Sequence, residues 1–395
     1  MGGAAGHVSQ IWEVHELTFR ELKDIIIKSF CGELENITEK LDGQNILITY
    51  KKGKILIARS TKHLKNFGDT AMDINDAKKY FSTRGNPPSV EKAYITAIED
   101  FQNLFEISKL KILEEGKKWL NIEILYKDNE NVIPYGINQL RIHNIRELDE
   151  NGKIINLSNK GLEDINNSQI ENKTFSIEKT NFLTIKYIVN FDEKYKKLLY
   201  KLQSLEMKDD DSIEDYIESQ ILNFIHRSFK DFNLSEKFIE TLGKRWGRGD
   251  KSTPINKLLK DQPKEIQLYV RYADKIIKRK KEKIIEPLVD IFSNLGVIIL
   301  KNLDGLVTLN EKQSTEKIKN KLANAINYFE SLDDTEKIIK IIEYFKKFKK
   351  MGGVDSIVPV EGIVFEYHGK LLKLTGSFTP LLRIIGFHKF NPKKV

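Results

Sequence analysis

Glu39-Lys40-Leu41-Asp42-Gly43-Gln44-Asn45 is the stretch on which the interpretation of this sequence rests. Two segments rich in β-branched residues follow it, at positions 46–50 and 55–60, and Lys51-Lys52-Gly53-Lys54 separates them. Two such segments around a short loop that contains glycine predict a β-hairpin. The sequence therefore places a lysine amine beside a carboxylate and a flexible glycine at the entrance of a rigid hairpin, which suits covalent chemistry on a nucleotide phosphate.

Further motifs follow the lysine in order. Arg59-Ser60 closes the second hairpin segment, Asn121–Tyr126 carries Glu123 in an apolar run, and Val360–Phe365 and Lys370–Gly376 follow near the end of the sequence. Taken singly, each has an ordinary structural interpretation, such as a strand end, a solvent-facing strand residue or a charged turn. As an ordered set, they resemble the covalent nucleotidyltransferases, the superfamily of ATP-dependent DNA and RNA ligases and mRNA capping enzymes. In that superfamily the motif lysine becomes joined to a nucleoside monophosphate.

The resemblance implies a role for each motif residue. Lys40 would be the catalytic nucleophile that forms lysyl-AMP from ATP, and Glu123 and Glu361 would bind Mg²⁺ or the ribose hydroxyls. The nucleotide-binding residues implied in this way are Glu39, Asp42, Gly43, Asn45, Arg59, Glu123, His143, Glu361, Lys370 and Lys373.

Some of these roles are more specific. Glu39 would contact the adenine end, and His143 occupies the place where relatives have an aromatic side chain that stacks on the base. Arg59 and Lys373 would hold phosphate charge, and Lys370 is a second candidate because the last motif can be aligned on either lysine. For His143, an ordinary structural role is an alternative. Lys301-Asn302-Leu303-Asp304-Gly305 has one residue too many between its lysine and Asp-Gly, so we discard it as the nucleophile motif.

The predicted fold class is α+β. The resemblance implies a ligase-type adenylyltransferase domain of ATP-grasp-like antiparallel β structure with a large α-helical insertion. Apolar residues recur at helical spacing in Glu214–Ile225, Ile266–Ile285 and Thr315–Phe329, whereas a period of two returns after Gly352-Gly353. We therefore expect the first part of the nucleotidyltransferase domain at 1–190, the helical insertion at 191–350 and the final strands at 351–395.

The predicted insertion separates Glu123 from Glu361 by 238 positions (361 minus 123), which departs from the pattern of familiar ligases. It also contains Lys244–Lys251, which combines cations, an aromatic ring and glycines. Such a loop suits phosphate contact and base stacking, so Arg245, Trp246 and Arg248 are candidate nucleic-acid contacts. A loop without any ligand is an equal alternative.

Composition limits the remaining possibilities. A net charge of +8 and a pI near 9.0 permit a polyanionic partner. The single cysteine excludes an intrachain disulfide, and the histidines lack metal-ligand spacing, so any metal is expected to be Mg²⁺ held by carboxylates and phosphates. The first seven residues do not resemble a signal peptide, and no apolar run reaches the ~18 residues of a membrane span. We expect a cytoplasmic protein with no membrane partner.

Our leading hypothesis is an ATP-dependent polynucleotide ligase that acts on polynucleotide ends, with RNA favoured over DNA. The sequence after Lys373 is too short for the OB domain of DNA ligases and capping enzymes, which disfavours a DNA ligase and a guanylyltransferase. The alternative is a non-catalytic nucleic-acid-binding or phage structural protein with a ligase-like core. The small core with unusual additions would suit a bacteriophage source, and the oligomeric state stays open.

Overall fold

The computed structural model describes residues 8–83, 88–104, 113–158, 174–186, 191–308, 310–330 and 335–390, together with residues 162 and 188. The first seven residues, in which no signal peptide was expected, lie outside these ranges. Helices and mainly antiparallel strands make up the structure, so the predicted α+β class is confirmed.

The strands, in chain order, are β1 (Ser9–Gln10), β2 (Glu35–Lys40), β3 (Gln44–Lys51), β4 (Lys54–Ala58), β5 (Lys118–Leu125), β6 (Gln139–Leu148), β7 (Ile154–Ser158), β8 (Ser176–Lys179), β9 (Thr184–Ile185), β10 (Leu303–Asp304), β11 (Gly362–Tyr367) and β12 (Lys370–Leu374).

The α-helices are α1 (Phe19–Cys31), α2 (Lys65–Gly68), α3 (Ile74–Ser82), α4 (Pro88–Leu104), α5 (Phe191–Gln203), α6 (Ile213–Ser228), α7 (Glu236–Gly247), α8 (Ile255–Leu259), α9 (Lys264–Leu300), α10 (Glu311–Glu330), α11 (Thr335–Lys350) and α12 (Phe378–Phe390). Short 3₁₀ segments lie at Ile11–Glu13, Thr61–Leu64 and Gly353–Ser356.

The larger sheet has the strand order β4-β3-β5-β6-β7, and β8 pairs with β6 alongside β7. The predicted hairpin forms its first two strands, because β3 and β4 pair antiparallel across Lys52 and Gly53. Both turn residues have positive φ, 49° and 76°, which is the backbone conformation of the tight turns that favour Gly at the second position. The hairpin prediction is therefore confirmed.

The smaller sheet joins the two ends of the described chain in the order β1-β12-β11-β2. Lys40 is the last residue of β2 and is paired with Gly362 of β11. The expectation that Lys40 enters the hairpin is thus wrong in detail, since Leu41–Gly43 cross from the smaller sheet to β3 of the larger one. The lysine lies at the junction of two sheets.

The hydrophobic cores do not follow the predicted domain boundaries. The largest core joins α1 and the smaller sheet to helices α5 to α9, with Leu22, Phe292 and Phe365 among its fully buried members. A second core lies between the larger sheet and helices α3 and α4. A third joins α10 and α11 to α12 and to the loop that contains Ile133. The predicted helical insertion, 191–350, is therefore two packing units, and its first half shares a core with residues 9–40.

The predicted helices are present, with different ends. Glu214–Ile225 lies inside α6, which begins after Ser212 because Ser212 and Asp215 form a capping box. Ile266–Ile285 lies inside the 37-residue helix α9, and Thr315–Phe329 lies inside α10. Within the described ranges, no helix combines the length and the apolar character that a bilayer-spanning segment needs.

Candidate active site

Lys40 and Glu361 form an ion pair across the smaller sheet. The antiparallel register of β2 and β11 sets Lys40 opposite Gly362, so Glu361, just before β11, lies at the same sheet end as the lysine. The lysine side chain is 28% exposed and that of Glu361 is 13% exposed. Two residues from opposite ends of the sequence therefore meet at one partly open position.

Glu123 enters from the larger sheet. It lies on β5, opposite Asn45 of β3, and is only 8% exposed, because β5 is buried on both faces. The Asn45 amide donates to Glu123 Oε2 at 3.2 Å and to Asn121 Oδ1 at 2.7 Å. A solvent-facing Glu123, the ordinary interpretation of its strand position, is thus excluded, and Asn45 orients its carboxylate.

Gly43 allows the chain to pass close to β5. A Cβ atom there would lie 2.6 Å from the Ile124 carbonyl oxygen and 2.8 Å from Glu123 Cγ. Both distances are well below van der Waals contact, so a side chain at this position would displace the strand or the carboxylate. The glycine of the motif is required by this close approach.

Asp42 is fixed by the loop after β5. Its Oδ2 accepts hydrogen bonds from the N–H groups of Val132 and Ile133 at 2.7 and 2.9 Å. Its own N–H donates to the buried hydroxyl of Tyr135 at 2.8 Å. The Asp42 carboxylate is therefore held by a loop rather than by a strand. Tyr135 had no signal in the sequence that would have identified it.

The electrostatics of this junction are dominated by buried acids. Burial lowers the pKa of Lys40, but the nearby negative charges of Glu361, Glu123 and Asp42 outweigh it, and the pKa of Lys40 is raised overall. Burial raises the pKa of Glu361 to about 7, against the opposing effect of the Lys40 charge. Burial likewise raises the pKa of Asp42 to about 6, against its two backbone hydrogen bonds. Lys40 is therefore held in its ammonium form. The carboxylates around it have too few cationic partners to balance their negative charge.

The two lysines of the last motif have different positions. Lys373 is buried on β12, opposite Val364 of β11, and its pKa is lowered by burial and by the charge of Lys40. Lys370 is exposed at the start of β12, opposite Tyr367 at the other end of the pair. The structure brings Lys373 to the Lys40 junction and leaves Lys370 away from it.

Arg59 lies just after β4, and its Nε donates to the Tyr94 hydroxyl at 2.9 Å. Burial raises the pKa of Tyr94, and the charges of both Arg59 and Glu123 act on its hydroxyl, which places the guanidinium on the Glu123 side of the junction. Arg59 forms no ion pair with a carboxylate in the described part of the chain. Its charge is available to an anion.

Glu39 and Arg141 line a recess together with Thr180, Asn181 and Val307. The Val307 N–H donates to Glu39 Oε2 at 2.7 Å, whereas Glu39 Oε1 is buried and has no hydrogen-bond partner among the described residues. Burial raises the pKa of Glu39 to about 7. Strand alternation from His143 would have identified Arg141, which lies two residues earlier on β6.

His143 lies between the two parts of this region. Its Nδ1 is 2.9 Å from the Thr180 hydroxyl, and its Nε2 is 3.9 Å from Glu123 Oε2. The imidazole is thus oriented by Thr180 and lies beside Glu123. Whether it stacks on a base stays a prediction.

The expected nucleic-acid loop is wrong in its structure. Arg245 and Trp246 lie inside α7, and Arg248 is its C-terminal capping residue. Trp246 is 1% exposed and donates from Nε1 to Asp274, which also pairs with Arg245. Arg248 pairs with three acids of α6, Glu214, Asp215 and Glu218. A buried indole cannot stack on a base, so these residues hold α6, α7 and α9 together.

Glu123 and Glu361 are the residues of the junction that could hold a divalent cation. No group of three or more His, Cys, Asp or Glu side chains in the described ranges forms a preassembled metal site. Mg²⁺, however, usually binds through one or two carboxylates and completes its shell with water and substrate phosphates. Glu123 and Glu361 provide two such carboxylates, and the raised pKa of Glu361 shows that added positive charge would be favourable there.

Comparison with known proteins adds no identification: the sequence matches no family model and no curated protein.

Proposed function

We propose that the protein is an ATP-dependent polynucleotide ligase that acts through a lysyl-AMP intermediate on Lys40, with RNA ends as its preferred substrate. One observation carries the proposal. Lys40, Glu123 and Glu361 come from three distant parts of the sequence, yet they meet where the two sheets join. The ligase-type organisation of the surrounding domain is part of the same proposal.

The proposed first step is attack by Lys40 Nζ on the α-phosphorus of ATP. The N–P bond forms as the P–O bond to pyrophosphate breaks, and the amine gives up its proton to solvent. The arrangement described above is a resting one, because the ion pair with Glu361 favours the ammonium form, which has no free electron pair. Mg²⁺ bound through Glu123 and Glu361 would supply the positive charge that releases the lysine and neutralises the phosphates.

Two cationic side chains near the junction, Arg59 and Lys373, would position the phosphates. Arg59 follows β4 of the larger sheet and Lys373 lies on β12 of the smaller one, so together they would contact one phosphate chain from two sides. Phosphoryl transfer needs mainly such positioning and charge neutralisation. Glu39 lines a recess with Arg141 and Thr180, and His143 lies between Thr180 and Glu123, so the base of the nucleotide would bind there.

Labelling of the protein with α-labelled ATP and Mg²⁺ tests the proposal. We expect label on the wild-type chain and none on Lys40→Ala. Lys301→Ala is the matched control, because Lys301 is an exposed lysine of the similar Lys-Asn-Leu-Asp-Gly stretch and should leave labelling unchanged. Label that persists on Lys40→Ala would refute the assignment of the nucleophile.

Two further experiments define the nucleotide and the polynucleotide substrate. Competition between ATP and GTP separates a ligase from a guanylyltransferase. Joining of 5′-phosphorylated RNA and DNA oligonucleotides then establishes the preferred strand. Binding of RNA without any labelling would instead support the non-catalytic nucleic-acid-binding alternative.

A further inference from the structure

Exposed apolar side chains are concentrated on one short part of α9. Thirteen large hydrophobic residues are exposed in the described structure, and four of them, Leu268, Tyr269, Tyr272 and Ile276, lie within this part. Leu268 is 70% exposed and Tyr272 is 61% exposed. Scattered exposed apolar residues are normal, but a cluster of them marks an interaction site.

Basic residues share this face of the helix. Leu268, Tyr272, Lys275 and Arg279 follow one another at intervals of four, three and four residues, which places them on one stripe of an α-helix. Lys275 and Arg279 are exposed and form no ion pair with a described carboxylate. We call this stripe, with Ile276 beside it, the α9 face.

The surrounding structure also removes negative charge from the α9 face. Asp274 is the only acid between Ile266 and Lys281. Its carboxylate accepts hydrogen bonds from Arg245 and Trp246 and is thereby turned toward α7. What remains exposed is cationic, aromatic and aliphatic.

We propose that the α9 face binds the single-stranded polynucleotide that the proposed ligase would join, an inference that rests on the proposed function. Proteins that bind single strands combine cations that contact phosphates with aromatic rings on which bases stack. Tyr272 would provide the stacking ring, and Lys275 and Arg279 would contact phosphates one and two helical turns farther along. The face covers about 16 Å of helix axis, at about 1.5 Å per residue from Leu268 to Arg279.

The same helix connects the α9 face with the candidate active site. Near its C-terminal end, Gly296 packs against Gly376, where an added Cβ would lie 2.6 Å from the Gly376 nitrogen. Gly376 follows β12, which carries Lys373. From Arg279 to Gly296 the helix axis extends about 26 Å. The α9 face is therefore distant from Lys40. The other end of the same helix packs against the residue that follows β12.

Binding of a labelled twenty-nucleotide single-stranded RNA, measured by fluorescence anisotropy, tests the proposal. We expect Tyr272→Ala to weaken binding about fivefold or more, the lower limit for loss of one stacked base. We expect Lys275→Ala with Arg279→Ala to reduce the slope of log affinity against log salt by about 0.7 for each lost phosphate contact. Alanine is a good helix former, so these exposed positions should fold normally.

The matched controls lie on α5, where Tyr200 is 73% exposed and Lys196 and Lys197 are exposed. Tyr200→Ala and the Lys196→Ala, Lys197→Ala pair should bind RNA as the wild type does. Equal loss in the α5 and α9 variants, or no loss in the α9 variants, would overturn the proposal. Binding of anionic lipid vesicles without RNA binding, or self-association abolished by Tyr272→Ala without RNA binding, would also overturn it.

The labelling assay distinguishes this inference from the proposed function. The α9 variants should keep full labelling with ATP, because the face is remote from the nucleotide, whereas Lys40→Ala should lose labelling and keep RNA binding. If the wild type takes no label, the ligase proposal fails, and the anisotropy comparison still decides whether the α9 face binds RNA.

Discussion

Glu39→Gln should remove a loss of stability with rising pH, which the burial of Glu39 causes in the wild type. The carboxyl is 3% exposed, and burial raises its pKa from 4.5 to about 7. Because the native state then holds the proton more tightly than the unfolded chain, the contribution of Glu39 to stability is fully present below about pH 4.5. It declines as the pH rises and is lost above about pH 7. The difference between these pKa values corresponds to about 3 kcal/mol.

The substitution isolates this effect. Glutamine keeps the size of the side chain, and its carbonyl can still accept from the Val307 N–H. It removes the ionisable group, so the free energy of unfolding of Glu39→Gln, relative to wild type, should increase by about 2.5 kcal/mol between pH 5 and pH 8.5. Other buried acids, such as Glu361, titrate in both proteins and largely cancel in the comparison.

Urea denaturation at several pH values, followed by tryptophan fluorescence, measures the relative stability. Glu35→Gln is the control, since Glu35 is an exposed acid on the same strand. Its stability relative to wild type should vary little with pH. If the Glu39→Gln difference is equally flat between pH 5 and pH 8.5, the carboxyl is not buried in an environment that opposes its charge, and the reasoning from burial fails.

The remaining predictions concern the junction and the helical region. Gly43→Ala should lower the free energy of unfolding by about 1–3 kcal/mol, because its Cβ would overlap the Ile124 carbonyl, and it should reduce labelling by ATP. Glu361→Gln removes the partner that favours the ammonium, so the pH at which Lys40 reacts with an amine-directed reagent should fall. Trp246→Ala should cost about 3–5 kcal/mol of stability, measured by urea denaturation, because the indole is fully buried.

Each of these outcomes has a counterpart that would contradict it. Gly386→Ala tests a glycine with open space around it and no left-handed φ, so a loss as large as that of Gly43→Ala would point to a general backbone effect. An unchanged reactivity profile in Glu361→Gln would show that the ion pair does not control Lys40. Retained stability in Trp246→Ala, with RNA affinity lost instead, would restore this tryptophan as a nucleic-acid contact.

The sequence predicted features that depend on short segments. The hairpin after Lys40 follows from β-branched segments around Lys52-Gly53, and α6, α9 and α10 follow from apolar periodicity. Both patterns reflect local backbone preference and the need to bury one face. For the same reason, the sequence could not show that Trp246 belongs to a helix interior, since the partner that buries its ring is on α9.

The order of the motifs predicted which side chains belong to one site, but only the tertiary structure decided how they meet. Pairing of β2 with β11 sets Lys40 beside Glu361, and a long-range pairing of this kind leaves no trace in local periodicity. The structure also distinguishes Lys373 from Lys370. The two lysines are three residues apart, and only Lys373 lies at the end of β12 that is near the junction. The types of side chain that belong to the site could thus be predicted from the sequence. The strand register, the burial of these side chains and the charge around Lys40 depend on contacts between segments that are distant in sequence.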